Sequence, residues 1–204
     1  MLELTRTLQN KSIVLASASP RRRELLGQIG LRFKVIPSTF EENLDKNLPA
    51  AQYAQETALH KARQVYRSLQ TAGERVPDMV IGADTVVERD GIILEKPEDN
   101  LDAAATLRSL RGKTHQVHTG VAIIDSSADE CSFTETTVVS FMDFSDQDID
   151  EYIASGEPFG KAGSYGIQGK AAAFVKGVEG CYFNVVGFPL HRFLRELDQF
   201  MSNA

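Results

Sequence analysis

The stretch that decides the fold is SIVLASASPRRRELLGQIGLRFKVI, residues 12–36. Ser12–Ala16 is an apolar run that ends in a Ser/Pro turn and reads as a buried strand. Leu25, Leu26 and Ile29 then recur at helical spacing, and Gly30 closes that helix. Arg32–Ile36 reads as a second strand. A strand, a helix and a strand in immediate succession place the chain in the α/β class.

The pattern continues outward. Ala54, Ala58, Ala62, Val65 and Leu69 mark one face of a helix over Tyr53–Leu69, the clearest in the chain. Asp78–Glu88 reads as a strand that Asp90-Gly91 folds back against Ile92–Leu94. A helix through Ala103, Leu107 and Leu110 stops at Gly112, and strands are expected at Gln116–Asp125 and Phe133–Phe144. Ser145 with Asp148 resembles a capping box opening a short helix that Gly156 ends. Ala171–Lys176 and Tyr182–Val186 read as a last strand pair around Gly177 and Gly180. Pro189 then starts a terminal helix with Leu190, Phe193, Leu194 and Leu197 inward. The expectation is an α/β fold with a mixed β-sheet and flanking helices, one domain over residues 1–204, without repeats or linkers.

Composition narrows the partners. The 204 residues carry a formal charge of −6, which argues against a nucleic acid polymer as partner, because that role needs a surplus of Lys and Arg over a face. Cys131 and Cys181 form no CxxC or Cys/His cluster, so a reducing, cytoplasmic setting is expected and a zinc site is not. Met1–Lys11 has neither the apolar core of a signal peptide nor the bias of a transit peptide. No stretch approaches the ~20 apolar residues of a membrane span.

Two segments carry chemistry. In Ser17–Glu24 (SASPRRRE), Ser19 is a good N-cap and Pro20 a good first helical residue, which puts Arg21, Arg22 and Arg23 in the first turn. Cations are disfavoured at that positive end of the helix dipole, unless an anion occupies the helix start and gathers them. The alternative is that the arginines fan into solvent or pair with surface acids. The segment lacks GxxxxGK[ST] and GxGxxG, so kinase and dinucleotide readings lose their motif support. In Gly82–Thr85 (GADT), Asp84 interrupts a buried strand. It is either satisfied structurally or it holds a metal or activates water. Lys61, Lys96, Glu41 and Glu42 are candidates to share its pocket. His115 and His118 have no third ligand nearby, and Ser17 has no His/Asp relay to make it a nucleophile.

The chain resembles the Maf-like nucleotide pyrophosphatases through SASPRRRELL (17–26), GADTVV (82–87), Glu95-Lys96-Pro97, GKTHQVHTGV (112–121), GEPFGKAGSYGIQG (156–169) and NVVGFP (184–189). The resemblance implies an elongated mixed sheet with a cleft between two lobes, similar to inosine triphosphate pyrophosphatases. It implies a divalent cation, Mg²⁺ or Mn²⁺, and frequent homodimers. It further implies cleavage of a nucleoside triphosphate to monophosphate and pyrophosphate. By that likeness Asp84 is the general base and, with Glu42, a metal ligand, while Ser17, Arg21, Arg22, Lys61 and Lys96 surround the phosphates. Arg21, Thr85 and Gln168 match specificity positions. Gln168 in YGIQG resembles the dTTP/UTP branch, whereas Glu there is similar to the 7-methyl-GTP branch. The carboxamide offers a donor and an acceptor to the N3–H and O4 edge of uracil and thymine. Lys170-Ala171-Ala172 departs from the Leu-Gly-Gly that often follows. The competing readings are a non-catalytic nucleotide sensor tied to cell division and a same-fold enzyme acting on purine or 7-methylguanine nucleotides.

Overall fold

Helices cover both faces of one twisted sheet, which explains why its central strands are apolar on both sides instead of alternating. The computed structural model describes residues 2–45, 47–73 and 75–203; Met1, Lys46, Glu74 and Ala204 lie outside the described residues. In chain order the elements are α1 (Leu2–Thr7), β1 (Ile13–Leu15), α2 (Pro20–Gln28), β2 (Lys34–Val35), α3 (Ala50–Thr71), β3 (Met79–Arg89) and β4 (Ile92–Leu94). They continue with α4 (Asn100–Leu110), β5 (Thr114–Asp125), β6 (Glu130–Phe141), α5 (Asp146–Ala154), β7 (Val175–Glu179), α6 (Tyr182–Val186) and α7 (Leu190–Asn203). Among the described residues seven strands form the sheet, in the order β2-β1-β3-β5-β6-β7, with β4 on the far end of β3. β1 lies parallel to β2 and β3, and the other pairings are antiparallel, so the sheet is mixed as expected.

Three features of this arrangement position the site. β1 has three residues and β3 eleven, so β1 stops at Leu15 opposite Ile81 while β3 runs on. The chain leaving β1 therefore turns away level with the stretch of β3 that holds Asp84 and Thr85. On one face α3 packs without side-chain spacers: a Cβ on Gly82 would lie 2.2 Å from the Ala58 carbonyl oxygen, and one on Gly120 2.2 Å from that of Ala54. The Ala54, Ala58 and Ala62 stripe thus meets bare backbone. On the other face Ile81, Ala83, Val121 and Ile123 pack with Leu25, Leu107, Phe188 and Phe193 into the larger core. At the hairpin both Asp90 (φ 54°) and Gly91 (φ 79°) are left-handed, as a two-residue turn between twisted strands requires.

The structure corrects the sequence reading in several places. Tyr182–Val186 is a helix, α6, and Lys170–Phe174 is a 3₁₀ turn, so only Val175 and Lys176 of the expected last pair lie in a strand, β7, which runs on to Glu179. The β-branched run misleads because the position is decided by burial: Asn184 of α6 is fully buried and donates to the Val117 carbonyl and to Thr137 Oγ1. β6 ends at Phe141, and Met142 instead donates its N–H to the Phe174 carbonyl at 2.8 Å. β2 shrinks to two residues, and α1 forms where no element was expected. The capping box is present: Asp148 N–H donates to Ser145 Oγ at 3.1 Å and Ser145 N–H to Asp148 Oδ2 at 2.7 Å. Among the described residues no helix is long and apolar enough to cross a membrane.

Candidate active site

A cleft of about 730 Å³ opens between the β1–α2 turn, α3, the middle of β3 and the segment 157–169. Nine of the residues singled out from the sequence, Ser17, Arg21, Arg22, Glu42, Lys61, Asp84, Thr85, Lys96 and Gln168, line it. Glu41 and Arg23 do not, and both are exposed. The arginine run therefore divides. Arg21 and Arg22 face the cleft, and Arg23 points to solvent. Ser19 is at the N-cap position, but its side chain makes no capping bond. Instead Ser17 Oγ accepts the Ser19 N–H at 3.3 Å. Pro20 has no N–H and the Arg23 N–H donates to the Ser19 carbonyl at 3.3 Å, which leaves the Arg21 and Arg22 N–H groups as those without a carbonyl partner in the first turn.

Lys61 is the centre of one wall. Its ammonium donates to Asp84 Oδ1 and to Glu42 Oε1, each at 2.7 Å. Asp84 is almost wholly buried, and a buried carboxylate needs such a partner. The contact exists because α3 lies directly on Gly82 and Gly120. With Asp84 opposite Gly120 across the ladder, the lysine beside Ala62 reaches it across a helix–sheet spacing shortened by two absent side chains. Lys96 stands 3.9 Å from Glu42 Oε2. Burial works against ionisation of Glu42, but the Lys61 hydrogen bond and the charges of Lys61, Lys96 and Arg22 outweigh it and hold the carboxyl below its ordinary range.

Arg22 lines the cleft and is itself held by three acceptors. Its guanidinium is buried and donates from Nε to the Gly187 carbonyl (3.0 Å), from one terminal nitrogen to Ser17 Oγ (3.0 Å) and from the other to Thr85 Oγ1 (2.9 Å). It ties the β1–α2 turn, β3 and the α6–α7 turn together, and its burial lowers its pKa against the pull of Asp84. Thr85 Oγ1 in turn meets Thr119 Oγ1 at 2.9 Å. Only the N–H groups left over can meet an anion. Arg21 is half-buried and retains its fork.

The opposite wall is built from Glu157, Phe159, Lys161, Tyr165 and Gln168. Gln168 is exposed at the rim, and its carboxamide makes no hydrogen bond within the described residues. Five cations and three carboxylates line the whole cleft, so it is locally positive in an acidic chain, suited to a polyanion.

Sequence reasoning passed over Lys161, Glu157 and Phe40, which stacks on His60 at 4.8 Å. The glycine spacing of GEPFGKAG was the signal for the first two. His115 and His118 lie on opposite faces of β5, as residues three apart on a strand must. His115 Nε2 meets the Tyr165 hydroxyl at 2.8 Å, and His118 bridges Thr136 and Glu88. No group of three or more His, Cys, Asp or Glu able to hold a metal occurs among the described residues.

The model of the Maf-like protein family matches residues 12–200. A dTTP/UTP pyrophosphatase of Pelotomaculum thermopropionicum is 46% identical over 195 residues, covering 95% of this chain and 99% of that protein. One of Bacillus cytotoxicus is 45% identical over 194 residues, with 95% and 98% covered. A human protein named probable bifunctional dTTP/UTP pyrophosphatase/methyltransferase is 48% identical over 199 residues, covering 93% of this chain and 32% of its own length, so the chain spans about a third of it. Among solved structures, the Staphylococcus aureus Ham1 protein matches with a TM-score of 0.46 at 15% identity, over 64% of this chain and 72% of that one.

Proposed function

The chain belongs to the Maf-like family, and from that premise we propose that it hydrolyses dTTP, UTP and related pyrimidine nucleoside triphosphates to the monophosphate and pyrophosphate. One observation supports this above the rest: the start of α2 with Arg21 and the Lys61–Asp84–Glu42 cluster face one cleft, although Glu42, Lys61 and Asp84 stand 21, 40 and 63 residues beyond Arg21 in the chain. The names of the relatives supply the substrate class.

In this reading the free N–H groups of α2, Arg21 and Lys96 bind the triphosphate, while Arg22 holds Ser17 and Thr85 in place beneath it. Asp84 takes the proton of a water whose oxygen attacks the α-phosphorus. The α–β P–O bond breaks, and pyrophosphate leaves with its charge offset by the surrounding cations. Lys61 orients the carboxylate. Asp84 and Glu42 converge on one ammonium and offer hard oxygen donors, which fits a small divalent cation bound by one or two carboxylates together with substrate phosphates. When bound, Mg²⁺ or Mn²⁺ supplies charge neutralisation on the phosphate oxygens. Gln168 presents its free carboxamide to the base.

The test is pyrophosphate release from a nucleotide panel with Mg²⁺ or Mn²⁺. Release from UTP and dTTP well above CTP, GTP and 7-methyl-GTP is expected. Preference for 7-methyl-GTP would transfer the chain to a purine specificity, and tight binding without release under any metal would make it a sensor.

A further inference from the structure

Gln168 sits on chain that no strand ladder or α-helix holds. It occupies the third position of a turn closed by the Gly169 N–H donating to the Gly166 carbonyl at 3.0 Å, between the 3₁₀ turns Ala162–Ser164 and Lys170–Phe174. The ordering of such a segment must be supported by contacts from outside it. Two side chains provide them. The Gly166 N–H donates to the Tyr152 hydroxyl at 3.2 Å, and that hydroxyl donates to Glu157 Oε1 at 3.0 Å. The other carboxylate oxygen, Oε2, accepts the Lys170 N–H at 3.0 Å, and the Glu157 carbonyl accepts from Lys161 Nζ.

The turn is thus fastened at its first residue and immediately after its last, through one tyrosine and one carboxylate. Its two glycines fit the same picture: a Cβ on Gly169 would lie 2.1 Å from Glu157 Oε1, and one on Gly166 2.8 Å from Lys161 Cε. Tyr152 stands on α5 and is 3% exposed. Burial, with the charge of Glu157 adding to it, raises the pKa of its hydroxyl, which stays protonated and able to donate.

We propose that Tyr152 and Glu157 are positioning residues for base recognition, which hold the Gly166–Lys170 turn so that Gln168 meets the nucleobase in one pose. The inference rests on the pyrimidine-nucleotide reading of the cleft given above. A carboxamide carries a donor and an acceptor and can meet uracil or cytosine by flipping. Which edge of the base it can reach, and at what angle, depends on where its backbone is held. A buried hydroxyl that joins two partners is the tightest available fastening, because its loss leaves both an N–H and a carboxylate oxygen without a partner.

The experiment compares wild type, Tyr152→Phe, Glu157→Gln and the double variant, each checked for folding by its thermal transition. For Tyr152→Phe, KM for UTP is expected to rise about 10-fold with kcat within about 3-fold, and the UTP over CTP preference to narrow about 10-fold. Inhibition by inorganic tripolyphosphate, which has no base, should stay within about 2-fold of wild type on the same scale. The double variant should lose less than the product of the single losses, since the two act through one hydrogen bond. Unchanged KM and preference in the folded Tyr152→Phe protein would overturn the proposal, and so would parallel losses in kcat, KM and tripolyphosphate inhibition. If Tyr152→Phe does not fold, Glu157→Gln decides by the same readings. Equilibrium binding of UTP and CTP to the same proteins reads the selectivity without cleavage. A chain that binds UTP selectively but releases no pyrophosphate would therefore sink the hydrolase reading and leave the positioning role standing.

Discussion

On one wall of the cleft Lys61 and Asp84 meet at 2.7 Å from a 22-residue helix and an eleven-residue strand. On the other, Gln168 projects from a short turn fastened by Tyr152 and Glu157. The first wall is set by regular elements in close backbone contact, so Lys61 and Asp84 are held in place by packing. The second depends on a few side-chain hydrogen bonds, each replaceable by a single substitution. Under the proposed function, chemistry falls to the scaffold and selectivity to the irregular chain. It follows that variants on the first wall should change turnover or global stability, and variants on the second should change discrimination and local order.

Asp84→Asn tests the first half of that division most strongly. The amide keeps size and shape but removes the charge and the basic oxygen, so kcat is expected to fall by about 10²–10⁴ with UTP binding largely retained. Steady-state kinetics beside calorimetric titration of UTP measures both. Full turnover in the variant would remove Asp84 from the role of base and leave the Lys61 contact a structural ion pair.

Next in size is Gly120→Ala. Its Cβ would lie 2.2 Å from the Ala54 carbonyl oxygen, an overlap with helix backbone that no side-chain rotation relieves. A loss of about 3 kcal/mol is expected from overpacking of this kind, together with reduced turnover as α3 carries Lys61 away from Asp84. Gly177→Ala, where a Cβ meets nothing within 4 Å, is the control, and its cost should stay under ~1 kcal/mol. Urea unfolding of both variants reads the difference. Equal midpoints would show that the helix is not held at the spacing on which the first wall depends.

The same contrast explains what was legible in the sequence. Ala54, Ala58 and Ala62 at helical spacing, the apolar strand around Asp84 and the SASPRRRE turn are local patterns, and all three were placed correctly because local pattern and tertiary position agree there. The partition of Arg21, Arg22 and Arg23 was not legible, since it depends on where Gly187 and Thr85 arrive from distant parts of the chain. Tyr182–Val186 was misread as a strand. Its apolar run suits either element, and the buried Asn184 amide, bonded to Val117 and Thr137, fixes it as a helical turn. The second wall was visible only as a motif: GEPFGKAGSYGIQG has glycines where a carboxylate and a lysine stem need the space, and only coordinates say which side chain fills it.

The smallest expected effect separates the walls by pH. His115 is buried against Phe141 and Tyr165 and bonds the Tyr165 hydroxyl, just ahead of the Gln168 turn. Burial, with the nearby charge of Arg89, lowers its pKa from 6.5 to about 4. The unfolded chain takes up this proton near pH 6.5 and the folded chain only near 4, so between those values the unfolded state binds more protons. Stability is therefore full above pH 6.5, declines as pH falls through the window and levels off below about 4, with a total loss of at most ~3 kcal/mol. Glu42 on the first wall is shifted the other way for its type. Its folded pKa is depressed below 4.5, so its contribution is fully present above about pH 4.5 and is lost as pH falls from there through the folded value. Urea midpoints at pH 7, 5.5 and 4.5 for wild type and His115→Gln check this: the wild-type decline should exceed that of the variant. Parallel curves would mean that the imidazole is not held neutral beside Tyr165, and that the two walls do not differ in their response to acid.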